Sequence, residues 1–313
     1  MAIDETITVH DINADGIHGR LFRSADRSLR SGIVVLGGSG GGLGWSEGMA
    51  RRLAGEGYAA LALAYFRYAG LPKALVNIPL EYFEKAFDWM ADQQGIDTKR
   101  LALVGGSRGA ELALILGSTF PAVRAVVGYA SSSVAWGADG GLMSIGKPAW
   151  TYQDKPLLPA GTGFSPAALF ELVRIGVCLV SRVRYSGTPR FAAILKKESS
   201  IAHAVIPVEN IQGPVLLISG DDDQIWPSTL MSEMIMDRLR EHKHPFTDKH
   251  LKYQGAGHAI NLPDLPREAY PTWFTHPRTR IKYNAGGNID TNVQASKQAW
   301  NQVVRFLKEH VAC

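Results

Sequence analysis

The chain has 313 residues, of which 46% are hydrophobic and 20% charged, which suits a large buried core and excludes a disordered chain, a collagen or a coiled coil. Its 33 Lys and Arg against 29 Asp and Glu leave a net charge of +4 with no basic block, too dilute for a nucleic-acid partner and suited at most to small anions. Cys178 and Cys313 give no disulfide framework, and Asp4 and Glu5 stand where a signal peptide carries its basic region, so a cytoplasmic setting is expected.

In chain order, the alternating segments Thr6-Ile7-Thr8-Val9 and Ile17 to Phe22 predict two strands joined by a hairpin turn at Asp15-Gly16. Ile33-Val34-Val35-Leu36 is a continuous apolar run of the kind buried on both faces of a parallel sheet, and it ends in a glycine cluster over 37–42. A helix is expected from near Ser46 to Gly55, then a second buried run from Tyr58 to Ala64. Pro79 reads as the first turn of the next helix, where its missing N–H is not needed, with Phe83, Phe87, Met90 and Ala91 on one face. Strand 101–104, helix 110–116 and strand 124–127 follow, and this alternation specifies a parallel sheet wrapped by helices. Between Ala130 and Asn210 the alternation stops. That stretch, with one helix from about Pro166 to Arg182, predicts a cap over 131–210 inserted into a single domain running 1–313. Its most apolar window, Pro166 to Ser181, carries Glu171 and Arg174 and is too short to span a bilayer, so no membrane partner is expected. The pattern resumes with strand 214–219, helix 227–241, strand 250–253, an irregular stretch to about Ile289 and a final helix from Val293 to Val311.

Gly105-Gly106-Ser107-Arg108-Gly109 matches G-x-S-x-G where a predicted strand meets a predicted helix. A serine on that tight turn is an exposed nucleophile, and the flanking glycines remove Cβ atoms that would strike the neighbouring strand and helix. Its hydroxyl needs a histidine to take the proton, and the histidine needs a carboxylate to fix its tautomer. His258, in Gly255-Ala256-Gly257-His258 just after a predicted strand, is the base expected. Asp221, Asp222 and Asp223 follow strand 214–219; the G-x-x-D spacing from Gly220 selects Asp223, with the other two solvated or capping the next helix. The order Ser107, Asp223, His258, separated by 116 and 35 residues, is that of a hydrolase sheet. The glycine loop 37–42 lacks the acidic residue that a dinucleotide site places about 20 positions on. It is expected instead to supply one oxyanion N–H, from Gly40 or Gly41, beside that of Arg108.

These motifs, together with Phe66-Arg67-Tyr68-Ala69-Gly70-Leu71-Pro72, Leu80-Glu81-Tyr82-Phe83, Ala110-Glu111-Leu112-Ala113 and Gln224-Ile225-Trp226-Pro227-Ser228, resemble the acyl-CoA thioesterase and bile-acid-CoA:amino-acid N-acyltransferase family. The resemblance runs from about residue 5 to the C-terminus and implies an α/β-hydrolase fold, the triad Ser107, Asp223 and His258 and acyl thioester substrates; hydrolysis through an acyl-Ser107 intermediate is expected, with no metal or redox cofactor. The resemblance implies a further N-terminal β-sandwich in animal members, which is not expected within residues 1–30, since these match only the start of the hydrolase domain. In this family the acyltransferases are expected to carry cysteine at the nucleophile and the thioesterases serine, so Ser107 favours water as acceptor. Arg182, Arg184 and Arg190, beside an apolar helix with Leu169, Leu172, Ile175 and Leu179, are either a solvated face or cations for the phosphates of coenzyme A. An acyltransferase, a carboxylesterase or dienelactone-type hydrolase, and a catalytically silent hydrolase-fold binding protein are the competing readings.

Overall fold

The computed structural model describes residues 7–14, 16–25, 28–139, 144, 146–161, 166–275 and 280–311, without the side chains of 166–169 and 172. It opens with an antiparallel hairpin of β1 (Ile7–Ala14) and β2 (Ile17–Ser24). Next come β3 (Arg30–Leu36), α1 (Gly44–Gly55), β4 (Ala59–Ala64), the two-residue β5 (Ile78–Pro79), α2 (Glu81–Ala91), β6 (Ile96–Gly106), α3 (Arg108–Thr119) and β7 (Val123–Tyr129). An excursion then carries β8 (Trp150–Tyr152), β9 (Lys155–Pro156), α4 (Pro166–Ser181), α5 (Thr188–Leu195) and α6 (Glu198–Ile201). The chain returns through β10 (Val215–Gly220), α7 (Ser228–Glu241), β11 (Lys249–Tyr253), a second hairpin of β12 (Trp273–Thr275) and β13 (Lys282–Asn284), and α8 (Ile289–His310).

The central sheet has eight strands in the order β1-β2-β4-β3-β6-β7-β10-β11, parallel from β4 onward. This is the α/β-hydrolase fold. Its middle strands are apolar throughout because both faces are covered. Ile33 and Val35 point to one face, against Met49 and Leu53 of α1 and Val303 and Leu307 of α8. Val34 and Leu36 point to the other, against Phe83 and Met90 of α2, Leu112 and Leu116 of α3 and Ile235 of α7. Each such side chain, wholly removed from water, contributes about 1.5–3 kcal/mol.

Three local expectations are corrected. Pro79 lies before α2, pairing with Thr151 of β8; Leu80 caps the helix, and Ala86 rather than the exposed Ala91 completes its buried face. The segment predicted to hold one helix holds three, and the stretch read as irregular before α8 contains the β12–β13 hairpin. Asp4, Glu5, Asp15, His276, Cys313 and the Leu169 and Leu172 side chains lie outside the described residues. Among the described residues no helix is long and apolar enough to cross a membrane.

Candidate active site

Ser107 sits between the end of β6 and the start of α3 with φ 55°, a left-handed conformation that a serine adopts only under constraint. Its N–H donates to the Tyr129 carbonyl at 2.8 Å and its own carbonyl receives the N–H of Ala110, so the turn is pinned from both strand and helix. The flanking glycines are steric necessities. A Cβ on Gly105 would lie 2.2 Å from the Gly109 carbonyl oxygen, and one on Gly109 would lie 2.2 Å from that of Leu36.

Ser107 Oγ lies 3.1 Å from His258 Nε2, and His258 Nδ1 lies 2.8 Å from Asp223 Oδ2. Asp223 is 3% exposed and accepts three further bonds: the N–H of Ile225 at 3.0 Å, that of Trp226 at 3.4 Å and the Ser228 hydroxyl at 2.6 Å. A carboxylate so held cannot rotate, and it fixes the imidazole plane. Trp226 packs edge-on to His258 with ring centroids 6.1 Å apart and donates its indole N–H to the Ala130 carbonyl. The histidine loop is held by the first turns of α8. Asn292 accepts the Gly257 N–H, Thr291 donates to the Gly255 carbonyl, and Ser296 accepts the Asn261 N–H. The neighbouring aspartates are exposed, as expected of solvated carboxylates, and each also accepts a main-chain bond. Asp221 accepts the Gly255 N–H at 2.7 Å and Asp222 that of Gly287 at 2.7 Å, tying the acid loop to the loops on either side of it.

The glycine loop crosses over the serine at Gly38, where a Cβ would lie 3.2 Å from Ser107 Cβ and 3.8 Å from the Arg108 nitrogen. The Gly41 N–H already donates to the Gly38 carbonyl at 3.1 Å and that of Gly42 to Phe66 at 2.9 Å. Gly41 is therefore not available as an oxyanion donor, because one N–H serves one acceptor well. Gly40 and Ser39 have no backbone acceptor for their N–H groups among the described residues; their carbonyls receive the Arg67 guanidinium.

Arg108 has a second tie that its place after the serine does not announce. Its guanidinium pairs with Glu111 at 3.0 Å and donates to the carbonyls of Trp136 and Gly137, both at 3.1 Å. Glu111, fully buried, accepts the Trp136 N–H and the Trp150 indole N–H, and burial pushes its carboxyl up against the pull of Arg108. The helix behind the serine thus grips the first part of the excursion. Further along, Thr188 donates to the Asp223 carbonyl at 2.7 Å, and Phe191 packs between Trp136 and Trp226. The three expected cap cations do not share a partner. Arg182 is exposed, the Arg184 guanidinium lies 5.1 Å from the Trp273 ring centroid, and that of Arg190 lies 5.6 Å from Phe191. Trp226, Ser228, Asn292 and Glu111 were not picked out individually from the sequence. Only Ser228, set at the start of a helix after Asp223, carried a local signal.

Residues 78–313 match the family described as BAAT / Acyl-CoA thioester hydrolase C terminal. The chain is 29% identical over 94% of its length to Acyl-coenzyme A amino acid N-acyltransferase 1 of Mus musculus, covering 63% of that protein. It is 28% identical over 96% of its length to Acyl-coenzyme A thioesterase 6 of Homo sapiens, covering 65%. It therefore spans less than two thirds of these relatives. Among solved structures, a putative dienelactone hydrolase from Klebsiella pneumoniae superposes with TM-score 0.54 at 18% identity, over 97% of this chain and 98% of that one. A dienelactone hydrolase-like promiscuous phosphotriesterase, P91, gives TM-score 0.55 at 16% identity, over 98% of this chain and 100% of that one, and both likenesses bear on fold alone. With three quarters of its length matched by this family, on a hydrolase sheet, the chain belongs to the BAAT / acyl-CoA thioester hydrolase C-terminal family.

Proposed function

We propose that the chain hydrolyses acyl thioesters of the acyl-CoA type through an acyl-Ser107 intermediate, with Ser107, His258 and Asp223 as its catalytic triad. The observation that carries this reading is the relay of 3.1 Å from Ser107 Oγ to His258 Nε2 and 2.8 Å from His258 Nδ1 to Asp223. Asp223 is acceptor-only, so the imidazole proton stays on Nδ1 and Nε2 is bare to receive the serine proton. Ser107 attacks the thioester carbonyl, and the oxyanion gathers N–H bonds from Arg108 and from the 37–42 loop at Gly40, at the positive end of α3. The protonated His258 then gives its proton to the departing thiolate. Water enters, loses a proton to the same nitrogen and releases the acid, returning Ser107. In this reading the acyl chain runs along Trp136, Phe191 and Trp226, and Arg190 beside them meets a coenzyme A phosphate.

Thiol release from acyl-CoA of graded chain length tests the proposal, together with intact-mass detection of an acyl group on Ser107 that disappears in Ser107→Ala. Turnover of short oxyesters with a higher kcat/KM than any thioester assigns a carboxylesterase instead, and no turnover with intact ligand binding assigns a silent binding protein. The names of the relatives favour one alternative, transfer to an amino acid. Ser107 argues for water, because an acyl-serine is an oxyester whose carbonyl yields less readily to amines than a thioester does. Product analysis with glycine or taurine present separates them: free acid supports hydrolysis, and a dominant amide assigns transfer.

A further inference from the structure

The helices packed on the sheet turn their apolar faces inward, whereas α4 does the reverse. Glu171 and Arg174 pair on its inner side, where the Tyr185 hydroxyl donates to Glu171 and Arg174 donates to the Ser186 carbonyl at 3.0 Å. Its outer side presents Phe170, Val173, Val177 and Val180, spaced by three and four residues and between 57% and 88% exposed. Val183 extends this stripe, and Arg184, stacked on Trp273, joins it to the exposed Trp273 and Phe274 of β12. Cations outnumber carboxylates along this part of the chain, between Asp154 and Glu198. From Lys155 to Lys197 the sequence holds seven Lys and Arg, and its one carboxylate is the buried, paired Glu171.

An apolar helical stripe, a Trp and Phe at its edge and unopposed arginines at its C-terminal end match the chemistry of a bilayer surface. Valine and phenylalanine enter the acyl boundary, the indole sits among the headgroups and the guanidinium groups meet lipid phosphates. A second copy fits less well, since a two-fold contact would set the same cations against each other. We infer that the outer face of α4 docks the chain on membranes bearing anionic lipid, with the helix lying in the interface and spanning nothing. The expectation of no membrane partner weighed only whether this window is long enough to cross. The inference stands apart from the hydrolase proposal, although Thr188 fastens the same region to the Asp223 loop.

The test is flotation of the full chain with vesicles of phosphatidylcholine alone and of phosphatidylcholine mixed with phosphatidylglycerol. Binding is expected to the mixed vesicles only and to weaken with added salt. Val177→Asp should abolish it. Arg182→Gln with Arg184→Gln should weaken it about twenty-five-fold, at about fivefold per cation. Melting curves show whether each variant stays folded, and the arginine pair and the salt series decide the matter if Val177→Asp does not. Wild-type chain that fails to float with mixed vesicles, or that floats equally with both, overturns the inference. So does a dimer in sedimentation equilibrium that Val177→Asp dissociates, which assigns the face to a second copy.

Discussion

Around Ser107 the packing is backbone against backbone, so that a Cβ on Gly109 would meet the Leu36 carbonyl at 2.2 Å, whereas on α4 a Cβ on Gly176 would meet nothing within 4 Å. The serine turn tolerates no added atom there, and the outer helix α4 has room to spare at this position. Both regions are fastened by main chain and side chain together: Ser107 and His258 by bonds to Tyr129, Ala110 and Ala285, and the excursion by main-chain bonds such as Tyr185 to Lys282 and Gly187 to Gln224 as well as by the Arg108 and Glu111 side chains. A rigid floor holds reacting groups in register, and an outer helix with open packing accepts changed residues at little cost.

The largest expected effect lies on the floor. Ser107→Ala should lower kcat by about 10⁶ with an unchanged melting temperature, since it removes a nucleophile and little packing. Thioester turnover retained at a tenth of wild type would sink the triad. Asp223→Asn should cost about 10⁴ in kcat. Asp222→Asn, whose group only bridges loops, should leave kcat nearly intact, and the reverse order moves the acid by one residue.

The join between the two regions comes next. Glu111→Gln strands the Arg108 guanidinium in a buried site and should destabilise by about 3–5 kcal/mol in urea unfolding. Because the same contacts hold Trp136 and Trp150, protease sensitivity in the excursion should rise with it. Equal stability would show that Arg108 does not depend on this partner.

The two glycines sharpen the contrast directly. Gly109→Ala should destabilise by about 3 kcal/mol or more through the clash with Leu36. Gly176→Ala should stabilise by up to about 1 kcal/mol through helix propensity. Chemical denaturation of the pair measures both, and similar losses would contradict the open packing of α4.

The smallest effect is a slope against pH. Burial pushes the Tyr82 hydroxyl up to about 12, above its ordinary value near 10. The folded chain then keeps a proton that the unfolded chain loses, so this contribution is whole below about pH 10 and fades as pH rises from there toward 12. Tyr82→Phe should flatten the fall in unfolding free energy across that window; an unaltered slope would mean that other groups set it.

By itself the sequence determined the layer order, because continuous apolar runs such as 33–36 and 58–64 suit strands covered on both faces. It also picked out the serine turn, the histidine and the third aspartate, since each is marked by local glycines and by position after a strand. What it left open depends on contacts across many residues. That the Gly41 N–H is already engaged follows from its bond to Gly38 across the loop. That Asn292 holds the histidine loop from 35 residues away, and that Glu111 reaches Trp136 and Trp150, follows from how helices dock on the finished sheet. Which side of α4 faces out was likewise decided only in the tertiary structure. Apolar spacing marks a stripe on a helix but not its direction, and here the buried Glu171, paired with the half-buried Arg174, turned the stripe toward solvent.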